Sequence, residues 1–332
     1  MTIFHASTEQ LELIDSFTRP LEELFAPARL HKSESDYGQW VTGAEFGWFG
    51  ISLPEAAGGI GLGMVEEALL FEKFGRHLVT PGFMAASLAA KTAYLCGDAA
   101  LAQQILNGEL PVAMARQGAP GAGVTLVDAA SAKLCLVLSP QGTALFHADA
   151  VVERQPLDAA QWSIPLQSAR LAGNAAAHAA TQKIGADVNL LLAAQLTGIA
   201  AATLDMAVSY SLLRQQFGAP IGSFQAIKHY CTDMVMQVQA AKDMLSFGAV
   251  AVAEARDDHR FQAASALVVA TRAAFFNTAK NIQIHGGMGF SAECDAHLYL
   301  KRAHVLDTLA GGLKASRAAL RRETSIFGKD AA

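Results

Sequence analysis

Two runs of residues in the C-terminal half of the chain repeat every three or four positions, the spacing of one face of an α-helix. The first run consists of Leu192, Leu196, Ile199, Thr203, Met206, Tyr210 and Leu213. The second consists of Phe224, Ile227, Cys231, Met234, Val238, Ala241 and Leu245. Faces of this length are buried best against other long helices, as in an antiparallel bundle. With two further helices predicted at about 258–284 and 296–324, they predict a C-terminal four-helix bundle over residues 181–332.

The chain before the bundle divides into two zones. Residues 1–110 read as short helices, in which Ser7 and Gln10 have the spacing of a capping box and Pro20 predicts a kink or an end of the first helix. Residues 111–180 contain short apolar runs split by Pro, Gly, Asp and Gln, which predicts a small, antiparallel β domain. The predicted fold class is therefore mainly α with a small middle β domain.

Composition and charge exclude several classes of protein. Of the 332 residues 52% are hydrophobic, which excludes a disordered chain, and the net charge of −5 argues against a nucleic-acid binder. The four cysteines lie far apart in the sequence with no CxxC spacing, so they give no signature of a metal site or of a disulfide framework. The acidic start does not resemble a secretory leader, and polar residues interrupt the apolar stretch Leu190–Val208, so no membrane span is expected. A cytoplasmic protein is the expectation.

Two stretches of the predicted bundle carry a recognisable pattern. Residues 214–225 read RQQFGAPIGSFQ, and residues 283–290 read QIHGGMGF. Both resemble the acyl-CoA dehydrogenase flavoproteins, which have an RxxFGxPIxxFQ loop and a QxxGGxG turn in their helical domain. The segment 47–59, with GWFGI followed by PE and GG, resembles the early motif of the same family. The likeness covers nearly the whole chain and implies an acyl-CoA dehydrogenase-like fold, with an N-terminal helical domain, a middle β domain and a C-terminal four-helix bundle.

The resemblance also implies an activity. Members bind FAD and remove two hydrogens from an acyl-CoA thioester: a carboxylate takes the α-proton while the β-hydrogen leaves as hydride. An electron-transferring flavoprotein would reoxidise the flavin, and the chain would work in a homo- or hetero-oligomer. In the family pattern, Arg214, Phe217 and Gln225 contact the FAD of a neighbouring subunit, whereas Gln283, Gly286 and Gly287 contact its ADP portion.

These residue types suit that role, although each also has an ordinary structural explanation. The planar guanidinium of Arg214 can donate paired hydrogen bonds to a pyrophosphate, but a cation also suits the C-terminal end of a helix. Gly286 and Gly287 let a backbone approach a ligand closely, but glycine is also a common helix C-cap.

The residues expected to form the chain's own active site depart from the family pattern. The usual base is the Glu of an EGT triplet, and the matching triplet here is Ala310-Gly311-Gly312. The alternative base position of some members corresponds to Val188, and Asn189 replaces a common arginine. Asp187 and Asp307 are the remaining candidates, so the catalytic residue stays unknown. The loop that holds the flavin ring in most members has its nearest match in Arg116–Gly123, which lacks the usual acidic and hydroxyl residues.

Three hypotheses follow. The leading one is a short, base-lacking subunit that completes the FAD site of a longer partner, as in related heteromeric enzymes of steroid side-chain degradation, with a lipid or steroid acyl-CoA as substrate. The second is a self-sufficient homo-oligomeric dehydrogenase with an unusual base. The third is a non-catalytic helical scaffold or CoA-binding module.

Overall fold

The computed structural model of the chain describes residues 7–32, 36–119, 121–157 and 164–323. The N-terminal helices are α1 (Thr8–Leu24), α2 (Trp40–Glu45), α3 (Met64–Arg76), α4 (Pro81–Leu95) and α5 (Ala99–Leu106). Ser7 and Gln10 form the predicted capping box: the Ser7 hydroxyl accepts from the Gln10 backbone N–H, and the Gln10 side chain accepts from the Ser7 N–H. Pro20 does not end α1. Proline removes one backbone hydrogen bond, and the fully buried Leu21 and Phe25 hold the last turn against the core.

The middle region forms one seven-stranded sheet. The strands are β1 (Val112–Gln117), β2 (Val124–Val127), β3 (Leu134–Ser139), β4 (Gly142–His147), β5 (Val151–Leu157), β6 (Leu166–Leu171) and β7 (Ala177–Ala180). Their order across the sheet is β5-β6-β2-β1-β3-β4-β7. The prediction of an antiparallel unit is wrong for one pair, since β1 and β3 run parallel, with Val112 opposite Leu134. Strand β2 ends at Val127, beside the start of β1. The short connection that follows crosses to the opposite edge of β1, where β3 begins at Leu134 beside Val112.

The C-terminal part contains five described helices. They are α6 (Thr181–Leu213), α7 (Gln225–Ala253), α8 (His259–His285), α9 (Ala296–Ala310) and α10 (Leu313–Leu320). The central residues of both predicted helix faces are buried, for example Leu196, Ile199, Met234 and Ala241. The single helix predicted over 296–324 is instead two helices. Gly311 and Gly312 have φ values of +91° and +88°, a left-handed conformation that ends α9, and residue 324 lies outside the described residues.

Helices α3 and α6 cross with their backbones in direct contact. A Cβ atom added to Gly75 would strike the Gln195 carbonyl oxygen, and one added to Gly198 would strike the Glu72 carbonyl oxygen. Each glycine thus faces the backbone of the other helix, and this reciprocal contact docks the N-terminal helices onto the bundle.

Buried charges tie the N-terminal region to α9. The Arg29 guanidinium donates to both Asp36 carboxylate oxygens at 2.7 and 2.9 Å, and both side chains are buried. Asp36 also accepts the Thr80 backbone N–H at 2.7 Å. From α9, the fully buried Arg302 donates to the carbonyls of Leu78 and Val79. Arg29 also donates to the Leu78 carbonyl at 3.0 Å. The segment 78–80 therefore accepts hydrogen bonds from two arginines and donates one to an aspartate.

Among the described helices, α6 alone has the length and apolar composition of a membrane span, and 78% of its most apolar window is buried inside the protein. Burial of this extent is typical of a core helix, so the length and composition of α6 are only weak evidence for a membrane span. Across the described residues no three His, Cys, Asp or Glu side chains converge on a metal site, and the four cysteines are free.

Candidate functional site

A cleft of about 640 Å³ lies between the β sheet and the C-terminal helices. Its walls come from β1, the β3–β4 hairpin, the start of α6, the start of α8 and the junction of α9 with α10. Val188 and Ala310, which match the two positions where the family places its base, both line this cleft, and so does Asn189. Residues far apart in sequence therefore meet at one site, and both side chains that would have to accept a proton there are apolar.

Asp187 is not among the residues that line the cleft. Its carboxylate accepts a hydrogen bond from the Lys91 ammonium at 2.8 Å, and Lys91 also donates to the buried Glu67. Burial lowers the pKa of Lys91, but the negative charges of Asp187 and Glu67 outweigh burial and the pKa is raised overall. Asp187 is thus held in an ion pair with Lys91 and does not face the cleft.

Asp307 also lies outside the cleft lining, although Ala310 on the same helix lines it. Burial raises the pKa of Asp307, while the charge of His304 and the Leu313 backbone N–H lower it in part. Within the described residues its Oδ1 atom has no hydrogen-bond partner. A raised pKa suits proton transfer, but the position gives Asp307 no access to a ligand in this cleft. As bases, Asp187 and Asp307 stay predictions.

The cleft carries positively charged residues that were not among the predicted site residues. Arg116, Arg260 and Arg322 line it against one acid, Glu323. Arg260 and Glu323 form an ion pair at 2.7 Å. Arg116 stands at the end of β1, where strand alternation alone cannot show that its side chain meets a helix junction. Arg260 lies on α8, and its sequence surroundings carry no signal that would place it here.

The predicted cofactor loop forms a tight hairpin at the end of α6. Arg214 caps α6, and the two-residue strands β8 (Gln215–Gln216) and β9 (Ala219–Pro220) pair around Phe217 and Gly218. Both turn residues have positive φ, +53° for Phe217 and +78° for Gly218. Such a turn suits glycine but strains a phenylalanine by roughly 1–2 kcal/mol. Phe217 is 95% exposed in this strained conformation. A strained and exposed aromatic residue is typical of a position kept for contact with another molecule.

The second predicted motif lies at the same end of the bundle. His285, at the end of α8, stacks on Tyr210 of α6 with the ring centroids 4.1 Å apart. Ile221 of the hairpin segment and Ile284 of α8 pack into one apolar cluster around Met234. The structure therefore places all six predicted cofactor residues at the same end of the bundle, and all six are exposed. They are Arg214, Phe217, Gln225, Gln283, Gly286 and Gly287.

These residues fit the pyrophosphate part of FAD. In the described parts of the chain no carboxylate lies within ion-pair distance of Arg214, so its guanidinium is available to an anion. A Cβ atom added to Gly286 or Gly287 would meet nothing within 4 Å, so the space beside this backbone is open. The loop 116–123, whose Pro120 lies outside the described residues, has neither hydroxyl nor carboxyl side chains for a flavin ring.

Exposed apolar side chains lie near the predicted cofactor residues at this end of the bundle. Leu212, Leu213 and Phe290 are exposed by 66%, 81% and 78%. Together with Phe217 and Met288, we call them the apolar bundle end. A cluster of large exposed apolar side chains of this kind is typical of a surface that another chain covers.

Comparison with known proteins agrees with the fold. A family model described as acyl-CoA dehydrogenase, N-terminal domain, matches residues 7–109, and one described as acyl-CoA dehydrogenase, C-terminal domain, matches residues 188–323. The crystal structure of the ChsE4-ChsE5 complex from Mycobacterium tuberculosis contains a chain of the same fold. Its TM-score is 0.80 at 21% identity, with 97% of this chain and 98% of that chain covered.

Two curated relatives carry the family name. Acyl-CoA dehydrogenase FadE34 of Mycobacterium tuberculosis is 34% identical over 304 residues, which is 85% of this chain but 41% of FadE34. The chain thus spans about two fifths of that relative. Acyl-CoA dehydrogenase IpdE2 of Mycolicibacterium smegmatis is 30% identical over 281 residues, covering 83% of this chain and 84% of IpdE2. The chain belongs to the acyl-CoA dehydrogenase family of FAD-binding oxidoreductases.

Proposed function

We propose that this chain is the base-lacking subunit of a heteromeric acyl-CoA dehydrogenase and that it completes the FAD site of a second subunit, which supplies the base. One observation carries the proposal. The residues expected to serve a neighbour's cofactor are retained and gathered at one end of the bundle, whereas both base positions of the chain's own cleft are apolar.

The chemistry requires a base that this chain does not offer at the expected places. Removal of the α-proton from an acyl-CoA thioester needs a positioned carboxylate, and general-base catalysis contributes about a hundred- to ten-thousand-fold. Neither Val188 nor Ala310 can accept a proton. FAD, when bound, supplies a hydride acceptor. The second subunit must therefore contribute the carboxylate that takes the α-proton.

The residues of this chain would hold the cofactor. Arg214 would donate paired hydrogen bonds to the pyrophosphate from a side chain that no described carboxylate neutralises. The open backbone at Gly286 and Gly287 would allow close contact with the ADP portion, and the amides of Gln225 and Gln283 would add hydrogen bonds. The apolar bundle end would be buried against the second subunit.

Likeness to known assemblies supports the proposal. The ChsE4-ChsE5 structure is described as a complex, and 98% of its matched chain is covered by this one. A second neighbour, with a TM-score of 0.78 at 23% identity, is described as the Tcur3481-Tcur3483 steroid ACAD. Chains of this size and fold therefore occur with a second named component, and a steroid or other bulky acyl-CoA is the substrate that we propose.

Flavin content tests the proposal directly. The full chain is purified alone and after co-expression with acyl-CoA dehydrogenase subunits encoded near it, and FAD is measured by visible absorbance. We expect no retained flavin in the chain alone and about one flavin for each pair of different chains in the complex. Flavin near one per chain in the chain alone, with acyl-CoA turnover, would instead support a self-sufficient enzyme.

Substitution of Arg214 tests the pocket itself. In the complex, Arg214→Ala is expected to weaken FAD binding about ten- to a hundredfold, because charge-assisted hydrogen bonds to the pyrophosphate are lost. Flavin fluorescence after dilution measures the affinity. The matched control is Arg170→Ala, which removes an exposed arginine paired with Glu153 in the β domain and should leave FAD affinity unchanged. Equal FAD affinity in both variants would show that Arg214 does not face the cofactor.

A further inference from the structure

We propose that the cleft between the β sheet and the bundle binds the carboxylate of an otherwise apolar small molecule, with Arg116 as the residue that holds it. The proposal concerns the chain's own cleft. It needs neither the cofactor loop 214–225 nor a second subunit, so it stands or falls independently of the proposed function.

Arg116 is a half-buried cation whose hydrogen bonds are mostly unmade. Its Nη1 atom donates to the Leu309 carbonyl at 3.4 Å, a long bond, and its Nη2 atom lies so close to Gly311 that a Cβ atom added there would strike it. Within the described residues no carboxylate lies within ion-pair distance. A guanidinium has five N–H donors, so most of them have no described protein acceptor. Burial lowers the pKa of Arg116, which reflects the cost of holding this charge away from water.

A structural role for Arg116 explains only part of this arrangement. The side chain lies at the C-terminal end of α9, where a cation interacts favourably with the last carbonyl groups. That interaction uses one N–H group of the guanidinium, which donates to Leu309. The other N–H groups belong to a side chain that lines the cleft. An anion in the cleft would satisfy these remaining donors.

The other two cations of the cleft are already satisfied or lie in solvent. Arg260 is neutralised by Glu323 at 2.7 Å, and Arg322 is exposed at the rim. Arg116 is thus the one half-buried guanidinium of the cleft without a carboxylate partner among the described residues. It matches a singly charged carboxylate, which it can bind through two parallel hydrogen bonds. A phosphate dianion would need a second free cation.

The apolar part of the remaining lining, which also contains serine, threonine and asparagine side chains, defines the body of the ligand. Leu138, Ile184, Val188, Leu267 and Ala310 line the cleft with apolar surface. Since Val188 and Ala310 stand where related chains would carry a glutamate, no carboxylate at either position repels a bound anion. The same substitutions that remove the base thus make the cleft compatible with a carboxylate ligand.

The test uses isothermal titration calorimetry of the full chain with dodecanoate at pH 8, and with dodecanol as a neutral molecule of matched length. Dodecanoate should bind at least about tenfold more tightly than dodecanol. Arg116→Leu should lower dodecanoate affinity about ten- to a hundredfold, and Arg116→Lys should retain part of it. Arg322→Leu, which removes an exposed arginine of the same cleft, should bind as the unmodified chain does.

A second variant keeps the test decisive if Arg116→Leu is unstable. Ala310→Glu retains Arg116 but places a carboxylate between the two residues that its guanidinium touches, so it should also weaken dodecanoate binding. The proposal is overturned if dodecanol binds as well as dodecanoate, if folded Arg116→Leu binds unchanged, or if no binding occurs. Displacement of dodecanoate by inorganic phosphate at equal concentration would also overturn it, because the site would then select phosphate.

Discussion

Replacing Gly198 with alanine is expected to lower the free energy of unfolding by about 3 kcal/mol or more. The added methyl group would strike the Glu72 carbonyl oxygen on α3, which is backbone and cannot rotate away. The two helices must therefore separate, and the buried side chains along their crossing lose contact. In a helix interior, alanine is normally more stabilising than glycine by as much as about 1 kcal/mol. A net loss of stability at this position must therefore come from the close crossing of the two helices.

Urea unfolding followed by tryptophan fluorescence measures this effect. Gly185→Ala is the matched control, because Gly185 lies on the same helix and an added Cβ there meets a Thr181 methyl group instead of backbone. The control should be neutral or slightly stabilising. If Gly198→Ala were as stable as Gly185→Ala, the close contact of α3 and α6 described above would be wrong.

Replacing Asp36 with asparagine is expected to cost about 3–5 kcal/mol of stability. The variant keeps the shape of the side chain but leaves the Arg29 guanidinium, which is buried, without its counterion. It also weakens the hydrogen bond that Asp36 accepts from the Thr80 N–H. The loss is large because a buried charge without a partner carries its full desolvation cost.

An exposed ion pair supplies the control for this second prediction. Arg19 and Glu23 are 3.0 Å apart on α1 with side chains 86% and 63% exposed. Glu23→Gln should change stability by less than about 1 kcal/mol, since exposed pairs contribute little. A double variant, Arg29→Met with Asp36→Leu, should lose less stability than Asp36→Asn alone, because both charges of the pair are removed and neither is left buried without the other. Similar losses for Asp36→Asn and Glu23→Gln would contradict the buried network.

The sequence predicted the parts of the fold that depend on local periodicity. Leu196 and Met234 are buried on the helix faces predicted for them, and Ser7 caps α1 as expected. It did not predict the parallel pairing of β1 with β3, because pairing depends on which strands meet in space. The break at Gly311 and Gly312 was visible as two adjacent glycines, but helical periodicity on both sides of it favoured one continuous helix.

The candidate site, like the fold, could be predicted from the sequence only in part. Short motifs identified Arg214 and Gln283, and the structure places them at one end of the bundle. The triplet at Ala310 and the position of Val188 also pointed to one cleft, which the structure contains. The engagement of Asp187 by Lys91 and the position of Arg116 were not predictable, since each depends on a contact between segments about a hundred or more residues apart.

The apolar bundle end has a consequence for how the chain is maintained in a cell. Large exposed apolar side chains, including the strained Phe217, are what chaperones and proteases recognise in incompletely assembled proteins. A copy of this chain that finds no covering surface would be removed instead of accumulating. If the proposed second subunit covers this end, the amount of this chain in the cell would be limited by the amount of that subunit.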